Sequence, residues 1–297
     1  MASAPQAAVA PARTLQQAAR DYLSLTKPGI VLLMLVATVT TMWAAADGRL
    51  SPWLLVTTLA GTALAAGAAN TFNCYIDRDI DAVMRRTQHR PLPAGRLSPA
   101  QAFRFGLVLA AASFAVLSTW VNLLTAVIAL AGAAFYVFVY TLWLKRSTPQ
   151  NIVIGGAAGA VPPLIGWAAV TNHVSLAAVL LFLVIFLWTP PHFWALALYK
   201  NEDYRRAGVP MMPVVRGERA TKIQMLVYTV LMVLCTLALY PLGVAGPVYA
   251  AGALLLGAAY VTLGVQALRD ATERMARRLF GYSILYLGLL FLLLAFG

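Results

Sequence analysis

Three of the chain's ten acidic residues, Asp77, Asp79 and Asp81, fall within five positions, directly after the charge-free residues 51–76. Asn73, Asp77 and Asp81 recur at i, i+4 and i+8, so a helix running through them would carry them as one stripe about 12 Å long. Like-charged groups on one stripe repel unless a cation lies among them. Hard oxygen donors in small number suit Mg2+, which keeps several waters and is commonly shared with substrate phosphates. Asp79 points roughly 160° away from that stripe and is expected to pair with a nearby arginine. A lone aspartate at a helix end more ordinarily just solvates it, but that role gives no reason to share a stripe with an asparagine. Arg85, Arg86 and Arg90 follow, then the stiff Pro91-Leu92-Pro93. Guanidinium groups bind phosphate oxygens in bidentate fashion, so acids beside arginines imply a site for Mg2+ and a polyanion such as a diphosphate.

These residues need elements to hold them, and composition says which. The 297 residues are 61% hydrophobic and 11% charged, against about 25% charged in ordinary soluble domains. The implied class is all-α, a polytopic membrane protein. A net charge of +12 could suggest nucleic acid, but the basic residues sit in short loops between apolar runs, so no nucleic-acid partner is expected. Cys74 and Cys235 lie far apart without metal-type spacing and imply neither a disulfide framework nor a zinc site. A bilayer core needs about 20 apolar residues per helix, and nine runs qualify, near 29–46, 52–76, 100–119, 121–142, 150–170, 175–199, 222–242, 245–267 and 279–296. Residues 1–20 read as a mobile tail and 21–297 as one membrane domain. With the amino terminus cytoplasmic and the carboxyl terminus outside, every Lys and Arg but Arg49 falls on the cytoplasmic side, as the positive-inside rule requires.

Two cytoplasmic loops are long, about 77–99 and 200–221, and both open on acids followed by arginines; the second carries Glu202 and Asp203. Lys145 and Arg146 close the fourth span, where they serve either as topology anchors or as diphosphate contacts. Gly155, Gly156 and Gly159 precede Pro162-Pro163; small residues permit close helix packing and prolines break helices, and a widened cavity is the alternative. Phe72, Tyr75, Tyr136, Tyr140 and Trp194 are candidate aromatic walls beyond the diphosphate, each also readable as ordinary helix packing. His192 follows Pro190-Pro191 inside the sixth span, where an imidazole is costly unless it faces a cavity or a partner. His89 and His173 sit in loops and carry no assigned chemistry. A carrier would place its polar residues near the midplane, whereas these acids cluster at one surface.

The pattern N-x-x-x-D-x-x-x-D at 73–81, ending the second of nine spans, resembles the UbiA superfamily of intramembrane prenyltransferases. The segments LTKPGIVLL (25–33), NCYIDRDIDAVMRRTQHRPLPAGRLSP (73–99), YTLWLKRSTPQNIVIGGAAGAVPPLIGW (140–167) and WTPPHFWALALYKNEDYRRAGVPMMPV (188–214) are similar to its heme-modifying branch, the heme O synthases or protoheme IX farnesyltransferases. The resemblance implies transfer of a farnesyl group from farnesyl diphosphate to a vinyl carbon of heme B, giving heme O. It also implies Mg2+ held by Asn73, Asp77, Asp81 and Asp203, with Lys200, Arg85, Arg86, Arg90, Lys145 and Arg146 around the diphosphate. His192, Trp194 and Tyr199 would meet the heme, with imidazole a standard iron ligand. The wider superfamily usually has two acids four apart in its second motif, and here Tyr199 takes the first of those positions, which makes a symmetric second metal site doubtful. By resemblance the protein sits in a bacterial inner membrane, or a mitochondrial one, and hands its product to a heme A synthase or a terminal oxidase assembly. A UbiA-type enzyme acting on an aromatic quinone precursor is the alternative; it would restore an acid at position 199 and would not need His192.

Overall fold

The computed structural model describes residues 14–270 and 272–296. Among those residues it is all-helical, with nine helical segments long and apolar enough to cross a membrane, two of them made of more than one helix. In chain order the helices are α1 (Leu15–Thr26), α2 (Pro28–Ala45), α3 (Pro52–Ile76), α4 (Arg78–Val83), α5 (Pro99–Trp120) and α6 (Leu123–Ala134). A π-helical stretch (Phe135–Leu144) then leads into α7 (Lys145–Ser147). After it come α8 (Asn151–Gly159), α9 (Pro162–Thr171), α10 (Leu176–Tyr199), α11 (Asn201–Arg206), α12 (Met212–Ala238), α13 (Pro247–Arg269) and α14 (Glu273–Phe296).

The starts of these helices are written in local chemistry. Proline occupies the first turn of α2, α3, α5, α9, α12 and α13, where its missing N–H is no loss and its fixed φ already fits. Ser98 and Gln101 close a reciprocal capping box ahead of α5, and Asn122 and Ser175 cap α6 and α10. Small residues set the closest approaches. A Cβ on Gly61 would run into Leu117, and one on Gly106 would meet the Phe72 ring at 2.9 Å, which fixes how tightly α3 lies on α5. Ser113 then donates a 2.8 Å hydrogen bond to the Gly61 carbonyl across that contact. The largest apolar core gathers α10, α12, α13 and α14 around Trp194, Tyr249, Tyr260 and Tyr286.

Several boundaries differ from the expectations. Residues 1–13 of the expected tail lie outside the described residues, and from Thr14 the chain is a capped helix, α1, whose Asp21 accepts from Arg96 at 2.9 Å. The fifth span is two helices, α8 and α9, broken at Ala160-Val161 immediately before Pro162-Pro163, because proline removes the donor that a continuous helix needs. The seventh span begins at Met212, ten positions before the expected 222. Its first turns bend at Gly217, whose φ of 77° belongs to a conformation that favours glycine. The second long loop is therefore mostly helical. Successive spans alternate in direction, so α4, α7 and α11 gather at one end of the bundle.

Candidate active site

That end is organised by the last turn of α3. Asn73 and Asp77 lie one turn apart, and the backbone carries on through Asp77 into α4, with Asp77 N to Asn73 O at 2.9 Å and Asp81 N to Asp77 O at 2.7 Å. The stripe read from the spacing is thus nearly continuous. All three side chains are buried: Asn73 is 3%, Asp77 1% and Asp81 2% exposed. Burying carboxylates without partners is prohibitive, and each has one. Lys145 Nζ makes a short ion pair with Asp77 Oδ2. Arg90 Nη1 reaches Asp81 Oδ2 at 2.7 Å. Arg146 holds Asp79 through two 2.8 Å hydrogen bonds, the pairing expected for the acid that points away. Arg146 beside it also keeps the Asp79 carboxyl at about 2, below the usual carboxylate range.

The amide of Asn73 ties these pairs together. Its Nδ2 donates to Asp77 Oδ2 at 2.7 Å and to Thr141 Oγ1 at 3.1 Å. With both amide protons used, Oδ1 is fixed as the outward acceptor, and Lys27 Nζ sits on it at 2.6 Å. In the sequence Lys27 reads only as a basic residue flanking the first span. In the fold it is the joint between α1 and α2, with a left-handed backbone (φ 54°) that is uncommon for a side-chain-bearing residue. Asn70 secures that joint by donating to Thr26 O at 2.9 Å. Burial, together with Arg90 and Lys145 nearby, holds the Lys27 amine down at about 8. Four cations (Lys27, Arg90, Lys145, Arg146) thus surround three acids and leave the cluster net positive, a balance that suits an incoming polyanion.

The π-helical stretch supplies the opposite wall. Its wider winding, with bonds five residues apart, puts Thr141 Oγ1 on Tyr136 O at 2.9 Å and brings the Lys145 N–H to Tyr140 O. Thr141 and Lys145 then both face α3. Tyr136 and Tyr140 stack at 5.3 Å and 25°, and Tyr140 lies over Gly155, where any Cβ would collide with its ring. Of the five aromatic wall candidates, these two flank the site. Phe72 and Tyr75 turn instead toward Phe103 of α5, and Trp194 packs on Tyr228 of α12.

The second loop approaches without closing the cluster. Arg86 of the first loop lies beside the Tyr204 hydroxyl of α11. A cleft of about 340 Å³ runs between Asp79, Ile80, Arg146, Arg206, Gly208 and Val209. Asp203 is half-buried on α11, and no three His, Cys, Asp or Glu side chains converge on a metal position among the described residues. Asp203, the fourth expected metal ligand, thus lies on α11, an element separate from the one that carries Asp81. Arg85 and His89 are exposed, and Lys200 lies 5.8 Å from the Tyr199 ring centroid. Tyr199 itself leans on Phe280 and Arg277 of α14.

His192 is buried in the middle of the aromatic core, stacked on Trp188 at 4.2 Å and Phe280 at 4.7 Å. Its Nδ1 lies 2.6 Å from Ser283 Oγ on α14. Proline at 190 and 191 does not interrupt α10, which runs helically through both.

The model of the UbiA prenyltransferase family matches residues 33–294. A protoheme IX farnesyltransferase from Symbiobacterium thermophilum is 58% identical over 278 residues, 93% of each chain. One from Gloeobacter violaceus is 54% identical across 93% of this chain and 91% of its own. A solved structure of digeranylgeranylglyceryl phosphate synthase superposes with a TM-score of 0.79 at 18% identity, covering 94% of this chain and 98% of the other. A UbiA homolog from Archaeoglobus fulgidus, bound to GPP and Mg2+, gives 0.66 at 17%, over 92% and 99%. At that identity the superpositions speak for the fold alone, whereas the sequence matches span nearly the whole chain and include the acidic end of α3. The chain belongs to the UbiA prenyltransferase family.

Proposed function

We propose that the protein transfers the farnesyl group of farnesyl diphosphate to a vinyl carbon of heme B, with Mg2+ as cofactor, and that water completes the hydroxyethylfarnesyl side chain of heme O. The observation that carries the donor half is the Asp77 carboxylate. One oxygen is ion-paired to Lys145, while Oδ1 is buried without a hydrogen-bond partner. Its nearest cation is the Arg146 guanidinium at 3.7 Å, too far to hydrogen-bond; a buried carboxylate oxygen without a hydrogen bond is costly, and a hard cation is the chemistry that satisfies it. Asn73 Oδ1 and Asp81 complete an all-oxygen donor set, so the residues fit magnesium. Bound there, the ion would neutralise charge developing on the departing diphosphate. The A. fulgidus homolog with GPP and Mg2+ supports the same assignment.

The chain's own residues do the rest. Lys27 on Asn73 Oδ1 and Lys145 on Asp77 Oδ2 stand beside the oxygens that a metal would take and supply positive charge to an entering diphosphate. Arg90 orients Asp81, and Arg146 keeps Asp79 ionised and oriented. Arg85, Arg86 and Lys200 lie on the rim of the polyanion path. Preorganised cations in a water-poor pocket stabilise an oxyanion more than solvent does. The stacked Tyr136 and Tyr140 then offer π faces to the allylic cation as the C–O bond breaks. Charge compensation at this end and an apolar body beyond it keep water from the cation before the vinyl carbon attacks.

Heme B as acceptor rests on relatives above 50% identity named protoheme IX farnesyltransferase and on His192 in the aromatic core. Tyr199 stands where the quinone-modifying enzymes would have an acid. The orientation follows from the basic loops: the metal end faces the cytoplasm, with residues 21–297 acting as one membrane domain in a bacterial inner membrane. Delivery to a heme A synthase or oxidase assembly would follow. The test offers purified protein farnesyl diphosphate and Mg2+ with heme B and a hydroxybenzoate acceptor together. Mass analysis should find farnesylated heme and untouched hydroxybenzoate; the opposite product would overturn the acceptor.

A further inference from the structure

Hydrogen-bond bookkeeping at the α10–α14 contact defines the state of the buried imidazole. Ser283 Oγ lies 2.6 Å from the Phe280 carbonyl, and a carbonyl can only accept, so the serine's single proton goes there. At its 2.6 Å contact with His192 Nδ1 the serine oxygen must therefore accept. Nδ1 carries the ring proton, and in the neutral imidazole Nε2 is left as an unprotonated lone pair. Both ring faces are covered, by Trp188 at 16° and by Phe280 at 23° between planes, and Phe193 stands edge-on at 5.0 Å. The ring can thus present only its Nε2 edge. Trp188 is itself pinned, donating from Nε1 to the Ser283 carbonyl at 2.8 Å.

Such an arrangement is the outer-shell pattern of a metal-bound histidine, in which one nitrogen donates to an oxygen while the other binds the metal. We propose that Ser283 is a positioning residue for the acceptor: it locks His192 in the Nδ1-protonated tautomer and aims Nε2 at the iron of bound heme. The inference rests on heme B being the acceptor.

The experiment is a spectroscopic titration of the detergent-purified full chain with ferric heme B, comparing the native protein with Ser283→Ala, Ser283→Thr and His192→Gly. The Trp188 bond goes to the Ser283 main-chain carbonyl and survives each Ser283 change, so thermal unfolding of these variants should stay near that of the native protein. Ser283→Ala is expected to weaken heme binding about 10-fold or more, the usual effect of losing such a partner, and to shift the Soret band; Ser283→Thr should restore both. His192→Gly should lose the histidine-ligated spectrum and regain it on adding imidazole, a readout that does not depend on the Ser283 variants folding. Unchanged affinity and spectrum in Ser283→Ala would overturn the role of Ser283. A native-like spectrum in His192→Gly without imidazole would overturn the ligation. Failure of the native protein to bind heme would instead remove the acceptor reading on which both stand.

Discussion

The two long loops at the metal end have similar sequences of charge and opposite construction. In the first, every acid is paired with a cation from outside its own turn: Asp77 with Lys145, Asp79 with Arg146 and Asp81 with Arg90. Asn73 is held by Lys27 from the start of the chain. In the second loop the ion pairs are local, Glu202 to Arg205 at 3.2 Å on the surface of α11 and Glu218 to Lys222 at 3.6 Å, one turn apart on α12. Acids followed by arginines therefore do not by themselves make a site. What distinguishes Asp77 and Asp81 of the first loop is burial, which the Asp79–Arg146 pair does not share: desolvated pairs constrain one another strongly, whereas exposed pairs contribute little.

The comparison can be broken at its strongest point. Asp77→Ala should lower farnesyl transfer about 10³-fold, the scale of losing a main electrostatic element of a site, while heme binding stays near native. A loss of under tenfold would remove Asp77 from the chemistry. Lys145→Met leaves Asp77 buried without its cation and should cost about 3 kcal/mol in unfolding free energy. Added Mg2+ should recover part of that stability if the carboxylate is a metal ligand, and none if Lys145 only anchors the span. In the second loop, Asp203→Asn should reduce turnover less than tenfold, since no buried pair depends on it; a larger loss would show that α11 closes onto the first cluster during reaction. Arg205→Gln is the smallest change, under about 0.5 kcal/mol in stability, measured by chemical unfolding.

Much of this was legible in the residues. Nine apolar runs announce nine spans because each must satisfy its own backbone in the bilayer, and the i, i+4 spacing of Asn73 and Asp77 survives folding as a direct hydrogen bond. Asp79 pairs with an arginine as its phase on the helix demanded. What stayed hidden depends on tertiary contact. Lys27 looks like any basic residue flanking a span until the α1–α2 joint swings it onto Asn73. The π winding has no composition signal; it depends on how Phe135–Leu144 packs on α3 and α8. Trp194 was grouped with His192, yet two positions on a helix separate side chains by roughly 200°, and it faces α12 instead. Ser283 had no neighbour in sequence to mark it, since its partner lies 91 positions away.

The most direct test of the first-loop account is binding of Mn2+, as a magnesium substitute, followed by electron paramagnetic resonance with and without a non-hydrolysable farnesyl diphosphate analogue. Native protein should bind the ion, more tightly with the analogue present, and Asp77→Asn should lose that binding while Asp203→Asn keeps most of it. Binding that survives in Asp77→Asn and disappears in Asp203→Asn would contradict the account and move the metal to the second loop.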